Sequence, residues 1–147
     1  MNEYYDELDM TEEEIIKKYP FARKYDYSGN PLNSSWYGDI LKGWRKAFGK
    51  KLLEEIAEEY FTLDNELKSK WNIVEAREKY GGLRIDTVYD MPKKLYYITD
   101  SYEDISIHTC QECGRPCRQR TVEDWIYTLC DECWNLSFEK NIGRRLK

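Results

Sequence analysis

Four of the five cysteines form two pairs, Cys110-Gln111-Glu112-Cys113 and Cys130-Asp131-Glu132-Cys133, held sixteen residues apart. Two thiolates three positions apart on a tight turn, or on the first turn of a helix, reach one ion at about 2.3 Å. Two such pairs complete a tetrahedron, which is the ligand set of structural Zn2+. Gly114 follows the first pair and relieves the crowding there. Four thiolates close the shell, whereas a catalytic zinc keeps a position for water, so the expected role of Cys110, Cys113, Cys130 and Cys133 is to hold the chain together. A disulfide framework suits the odd cysteine count poorly, and a redox pair belongs to a βαβ setting. Cys117 is left over between Arg115 and Arg118, whose charge could lower its pKa, although a cysteine so placed is more often a bystander. His108, the single histidine, stands two residues before Cys110 and is a candidate substitute or supporting ligand.

Other chemistry finds no foothold. The zinc deaminases need His-x-Glu and a later Pro-Cys-x-x-Cys, but His108 precedes Thr109-Cys110 and Pro116-Cys117 lacks its second cysteine. One histidine excludes two-histidine mechanisms, and there is no phosphate-cradling glycine loop, Gly-x-Ser-x-Gly or His-Glu-x-x-His. Among 28 acidic residues nothing selects a working carboxylate pair. The expectation is a protein that is not an enzyme.

The cysteines need elements to hold them. Between the pairs, residues 119–122 and 126–129 can pair as a hairpin, and after Cys133 the run Trp134 to Gly143 reads as a helix with Gly143 as its stop. The order knuckle, hairpin, knuckle opening a helix resembles the treble-clef zinc fingers, with a flatter zinc ribbon as the alternative. Upstream, Asp90 and Pro92 start a helix whose apolar face is Leu95, Ile98, Tyr102 and Ile105. Before it, residues 73–80 and 83–89 flank Gly81-Gly82, which suits the positive φ angles of a tight hairpin turn. Trp44, Phe48, Leu52, Ile56 and Tyr60 fall on one face of a long helix, bent at Gly49. Thr11-Glu12-Glu13-Glu14 is a capping box, with Met10 stapling onto Ile15, for a first helix that ends near Tyr19 before Pro20. Residues 26–35 gather turn formers and read as a loop. The expected fold class is α+β: a helical body with a β-hairpin, plus a C-terminal zinc finger with four cysteine ligands. The expected division is an acidic head, short helix and loop over 1–35, an α+β body over 36–107, and the finger with a basic tail over 108–147.

Composition agrees with a folded chain, at 41% hydrophobic and 35% charged residues. No apolar run approaches the roughly 18 residues of a membrane span, and the amino end lacks the basic flank and apolar stretch of a signal peptide, so a cytoplasmic protein without membrane contact is expected. The net charge of -5 belongs to the head: residues 1–14 hold seven carboxylates and no Lys or Arg. The finger region from His108 onward carries seven basic residues against six acidic, and the last eight residues alone carry +4.

The stretch Glu78-Lys79-Tyr80-Gly81-Gly82-Leu83-Arg84, followed by a helix, Cys-x-x-Cys-Gly and Thr128-Leu129-Cys130-Asp131-Glu132-Cys133, resembles small uncharacterised proteins encoded by bacteriophages and prophages. The likeness runs from about Trp71 to Trp134 and is weaker around Trp36-Tyr37-Gly38-Asp39 and Gly43-Trp44; the tyrosine-rich acidic head departs from it. The resemblance implies a zinc-bearing accessory protein acting on host machinery or host defence, in the host cytoplasm, and transfers no catalytic residue. The expected partner is therefore a bacterial protein that this chain modulates or inhibits. Thirteen tyrosines and five tryptophans suit contact chemistry. Tyr4, Tyr5, Tyr25, Tyr27, Trp36 and Tyr37 are the candidate contacts, since they lie in polar stretches near loops. The alternative is nucleic-acid binding through Arg115, Arg118 and Arg120 of the finger with Arg144, Arg145 and Lys147 of the tail, a weak footprint given the near balance of charge.

Overall fold

The structure is a computed structural model that describes residues 3–88 and 91–139. Tyr89, Asp90, Gly143 and the basic tail residues Arg144, Arg145 and Lys147 lie outside the described residues.

The architecture is α+β, made of small antiparallel hairpins and short helices with a cysteine cluster at the C-terminal end. Strands β1 (Tyr4–Tyr5) and β2 (Met10–Thr11) pair at the start of the chain. Helix α1 (Glu12–Lys18) follows with the capping box in place: the Thr11 hydroxyl accepts from the Glu14 N–H while Glu14 Oε1 accepts from the Thr11 N–H. A single 3-10 turn over Pro20–Ala22 ends it.

Residues 26–35 are not all loop. Pro31–Ser35 forms β4 against β3 (Arg23–Tyr25), and the turn between them is tied by Asp26, whose carboxylate accepts from the backbone N–H groups of Ser28 and Asn30 at 2.9 and 2.8 Å. Those bonds hold the Asp26 carboxyl below the usual range. Turn-forming residues crowd this stretch because the hairpin is short, and the strand carries too few apolar residues to show alternation.

After a 3-10 turn over Trp36–Asp39, the long helix appears in three parts: α2 (Lys42–Trp44), a π-helical turn over Arg45–Gly49, and α3 (Lys50–Tyr60). The irregularity ends at Gly49, where a Cβ would stand 2.7 Å from Tyr37 Oη, so the glycine admits the Tyr37 ring. A short α4 (Asn65–Ser69), capped by Asp64, leads to the central hairpin of β5 (Asn72–Lys79) and β6 (Gly82–Val88). The register pairs Lys79 with Gly82, which makes Tyr80-Gly81 the two-residue turn, with φ of 53° and 78°. The turn is thus one residue earlier than Gly81-Gly82, and Tyr80 takes the left-handed conformation that glycine would normally supply. Helix α5 (Lys93–Ser106) begins after Pro92 and packs on β6 and α3. Strands β7 (Arg118–Val122) and β8 (Trp125–Leu129), then α6 (Asp131–Trp134) and a π-helical turn over Asn135–Glu139, complete the described chain.

One core joins these parts. Tyr5, Ile15, Tyr19 and Phe21 from the N-terminal segment share it with Trp36, Tyr37, Trp44, Leu52, Ile56, Ile73, Leu83, Leu95 and Tyr102. Three of the tyrosine and tryptophan residues expected to meet a partner are therefore structural: Tyr5, Trp36 and Tyr37 are 2%, 0% and 0% exposed. Partners distant in sequence satisfy their polar atoms. Trp36 Nε1 donates to Phe21 O at 3.0 Å, Tyr5 Oη to Glu12 Oε1 at 3.0 Å and Tyr37 Oη to Glu7 Oε1 at 3.2 Å. Burial, then the facing carboxylates, push both tyrosine pKa values far up, so these hydroxyls stay protonated donors.

The core reaches the cysteine module through glycines. A Cβ on Gly43 would lie 2.2 Å from Cys110 O and one on Gly81 2.8 Å from Ile126 Cγ2. Neither backbone approach leaves space for a side chain. We expect Gly43→Ala to destabilise the protein by about 1–3 kcal/mol through overpacking. Gly29→Ala, at φ 84° with nothing within 4 Å, should cost only the left-handed strain of about 1–2 kcal/mol and leave the cysteine module untouched. Urea unfolding of both variants checks this, with metal content as the second readout; loss of metal affinity in the Gly43 variant alone is the expected pattern.

Candidate metal centre

The first knuckle is a tight turn closed on itself. Gly114, at φ 82°, donates to Cys110 O at 3.0 Å, and the Cys110 N–H donates to Arg115 O at 2.7 Å. Gln111 ties this turn to β8: its N–H donates to Thr128 O at 2.8 Å and its Oε1 accepts from the Thr128 N–H at 3.0 Å. The second knuckle opens α6, with Cys130 as the N-cap whose sulfur accepts from the Cys133 N–H at 3.4 Å. Strands β7 and β8 bring the two knuckles together, and their Glu123-Asp124 turn has positive φ at both residues, 49° and 70°.

The four sulfurs of Cys110, Cys113, Cys130 and Cys133 all lie within 4.8 Å of one another, and Cys113 Sγ stands 3.6 Å from Cys130 Sγ. Tetrahedral thiolates at about 2.3 Å from a central ion would stand about 3.8 Å apart, so the spacing fits a single metal. No disulfide joins them. The four residues read from the spacing are the ones the fold assembles.

The electrostatics show why a cation belongs there. Burial opposes ionisation of Cys110, but the backbone groups of Cys130, Cys113 and Glu112 turned toward it bring its thiol down to about 7. Cys113 and Cys133 are pushed up, first by burial and then by their contacts with the neighbouring thiols. The Cys110 thiolate is favoured by the backbone, whereas Cys113 and Cys133 need a positive ion before they ionise.

His108 is exposed and is not among the clustered ligands; its carbonyl instead accepts from the Cys117 N–H at 2.9 Å. Cys117 also stands outside the cluster. Its thiol is pushed up to about 11 by burial and then by the Cys110, Cys130 and Cys113 sulfurs, the reverse of the lowering that Arg115 and Arg118 could bring. Arg120 does act to lower it, but burial and the neighbouring sulfurs outweigh that effect; Arg115 pairs with Glu132, and Arg120 also pairs with Asp131, donates to Leu129 O at 3.1 Å and lies 5.1 Å from the Trp134 ring centroid. Lys42 in turn meets Glu112 at 3.4 Å. Acidic residues within the two knuckles thus engage the cations nearest them. Arg118 is exposed at the start of β7.

Tyr4, Tyr25 and Tyr27 are on the surface, as expected of contacts. Sequence reasoning missed Trp125 and Tyr80, which are 69% and 73% exposed on the tips of two hairpins. Their position in a two-residue turn (Tyr80) or directly after one (Trp125) is the signal that could have found them. No family model, curated protein or solved structure matches the chain. Among the described residues no helix is long and apolar enough to cross a membrane.

Because Cys113 and Cys133 hold their protons tightly, metal binding at neutral pH should release about two or more protons per ion. Affinity should therefore fall as pH is lowered. Calorimetry in buffers of different ionisation enthalpy measures the release; binding without proton release would contradict the four-thiolate site. Cys117→Ser should bind the metal as the parent does, while Cys130→Ser should lose it.

Proposed function

We propose that the ion is Zn2+ and that its role is structural, in a finger of treble-clef type. Closed coordination by four thiolates supports this, as does the order of knuckle, hairpin and knuckle at a helix start. The finger is not an appended tail: Trp44 Nε1 donates to Thr109 O at 2.9 Å, and Thr128 Oγ1 donates to Gly81 O. Zinc therefore braces the body as well as the finger.

On this framework the protein works as a non-enzymatic protein-binding module, an accessory protein of phage type that modulates or inhibits a bacterial host or defence protein in the cytoplasm. The observation that carries this reading is the exposure of aromatic side chains at the ends of hairpins fixed by the fold, Tyr80 in the turn of the central hairpin and Trp125 beside the turn of the finger hairpin. Aromatic residues held out rigidly supply contact area at little entropic cost. The nucleic-acid alternative is weakened, since Arg115 and Arg120 are paired with Glu132 and Asp131. The phage character rests on the sequence resemblance from Trp71 to Trp134.

The test is affinity purification from a bacterial lysate with and without nuclease, with metal analysis of the same sample. About one zinc per chain is expected, together with a specific protein that survives nuclease and moderate salt. Recovery of nucleic acid alone, lost steeply as salt rises and abolished by Arg118→Ala, would replace this reading by the alternative.

A further inference from the structure

The tips of the central and finger hairpins enclose an open groove of about 780 Å³ that none of the four cysteines lines, although Gln111 of the first knuckle does. Its volume falls within the range of about 300–1,000 Å³ typical of ligand sites. Tyr80, Trp125 and Tyr127 supply aromatic walls, and Glu78, Glu123 and Asp124 supply carboxylates. Lys79 is the one basic side chain along it, and it lies 5.6 Å from the centroid of the Tyr80 ring. One Tyr80 face is thus already taken by a cation of the chain itself, and the Trp125 side remains for another.

We propose that this groove binds an arginine-bearing basic segment of the protein partner, a reading that rests on the protein-binding function above and specifies its chemistry. Charge complementarity chooses the occupant. Three carboxylates against one ammonium repel nucleic acid and acidic peptides and attract cations, while a guanidinium can stack on an indole face and pair with a carboxylate at once. Glu78, which lines the groove, is positioned by accepting from the Gly81 N–H through Oε2 at 2.8 Å. Glu123 and Asp124 form the turn itself, at φ of 49° and 70°.

The two walls are locked together. Gln119 Nε2 donates to Tyr80 O at 3.3 Å, and Thr128 Oγ1 donates to Gly81 O, so the groove is formed before a ligand arrives. Binding of the segment then has little left to order in the protein itself.

The experiment titrates the zinc-loaded full chain with an acetylated hexa-arginine peptide, followed by backbone amide NMR shifts. Shifts confined to residues 78–81 and 123–127 are expected, and a hexaglutamate peptide should produce none. Trp125→Ala should weaken binding about fivefold or more and Glu123→Gln with Asp124→Asn about tenfold, magnitudes suited to one cation–π contact and one ion pair out of bulk water. Asparagine tolerates the left-handed turn position, so the double variant keeps its fold. The control Glu54→Gln with Glu58→Gln removes the same two charges from the exposed face of α3 and should change affinity less than about twofold. Equal losses in the two double variants, or an unchanged affinity in Trp125→Ala, would overturn the proposal by reducing the binding to diffuse charge. A lysate partner retained in full by both groove variants would overturn the groove alone and leave the protein-binding function standing. Peptide binding as expected with no protein partner recovered would support the groove and count against that function.

Discussion

Backbone meeting backbone at Gly43 is the constraint on which the remainder of the structure depends. The Gly43 N–H donates to Gln111 O at 2.9 Å, and a Cβ at this position would overlap Cys110 O. A helix start can approach a metal knuckle this closely only where both sides lack side chains, and Gly114 provides the other half: a Cβ there would stand 2.8 Å from Gly43 O. The contact orients Trp44, whose buried indole donates to the carbonyl just before Cys110. Coordination and core packing are consequently coupled, because thiolates drawn to an ion fix the loop against which the tryptophan and the helix are seated. A second contact at Gly81 repeats the device on the other side of the finger. The cysteine cluster therefore lies beside a junction of elements distant in sequence: its own ligands span only residues 110–133, and hydrogen bonds at Gly43 and Gly81 carry the connection to the rest of the fold.

The acidic head is a second case of charge put to structural use. Glu7 accepts from Arg45 Nε at 2.8 Å as well as from Tyr37, and Arg45 also donates to Gly38 O and Ile40 O at 3.2 and 2.8 Å while lying 4.9 Å from the Tyr5 ring centroid. Glu12, itself buried, accepts from Tyr5 and from the Ser35 N–H. Carboxylates withdrawn from water are stable only when donors replace the lost hydration, and here each has at least two. Removing one donor would leave a desolvated charge. The excess of acid near the amino end is thus partly internal, which diminishes its reach as an electrostatic lure for a basic partner.

Local rules made the ligands and several elements legible from residues alone. The capping box at Thr11, the helix face from Trp44 to Tyr60, both hairpins and the four cysteines depend on spacing within a few residues, and spacing is what a sequence displays. Tertiary choices were not legible in the same way. Tyr5, Trp36 and Tyr37 sit among polar neighbours, and nothing local distinguishes a tyrosine that hydrogen-bonds inward to a distant carboxylate from one left on the surface. Pro31–Ser35 became a strand because β3 and α1 were available to it, and its own alternation is too sparse to announce that. Arg115 and Arg120 looked like a phosphate-facing patch until the fold set Glu132 and Asp131 beside them.

Preorganisation ties the metal to the exposed surface. Tyr80 and Trp125 belong to hairpins that are each only two strands wide, and an isolated pair of strands is marginal in water. Their tips hold a fixed separation because Thr128, one step from the second knuckle, bonds across to Gly81 and because Gln119 bonds to Tyr80 O. Thr128 is held from its other side by Gln111 of the first knuckle. The path from the first knuckle through Thr128 to the Tyr80-Gly81 turn is therefore short and hydrogen-bonded. Aromatic side chains on such a path lose little freedom when a partner arrives, whereas the same side chains on unbraced turns would lose much of their contact energy to becoming ordered. A cluster of four thiolates suits that task, because a metal closed by all four would hold geometry without offering an open position to substrate or water.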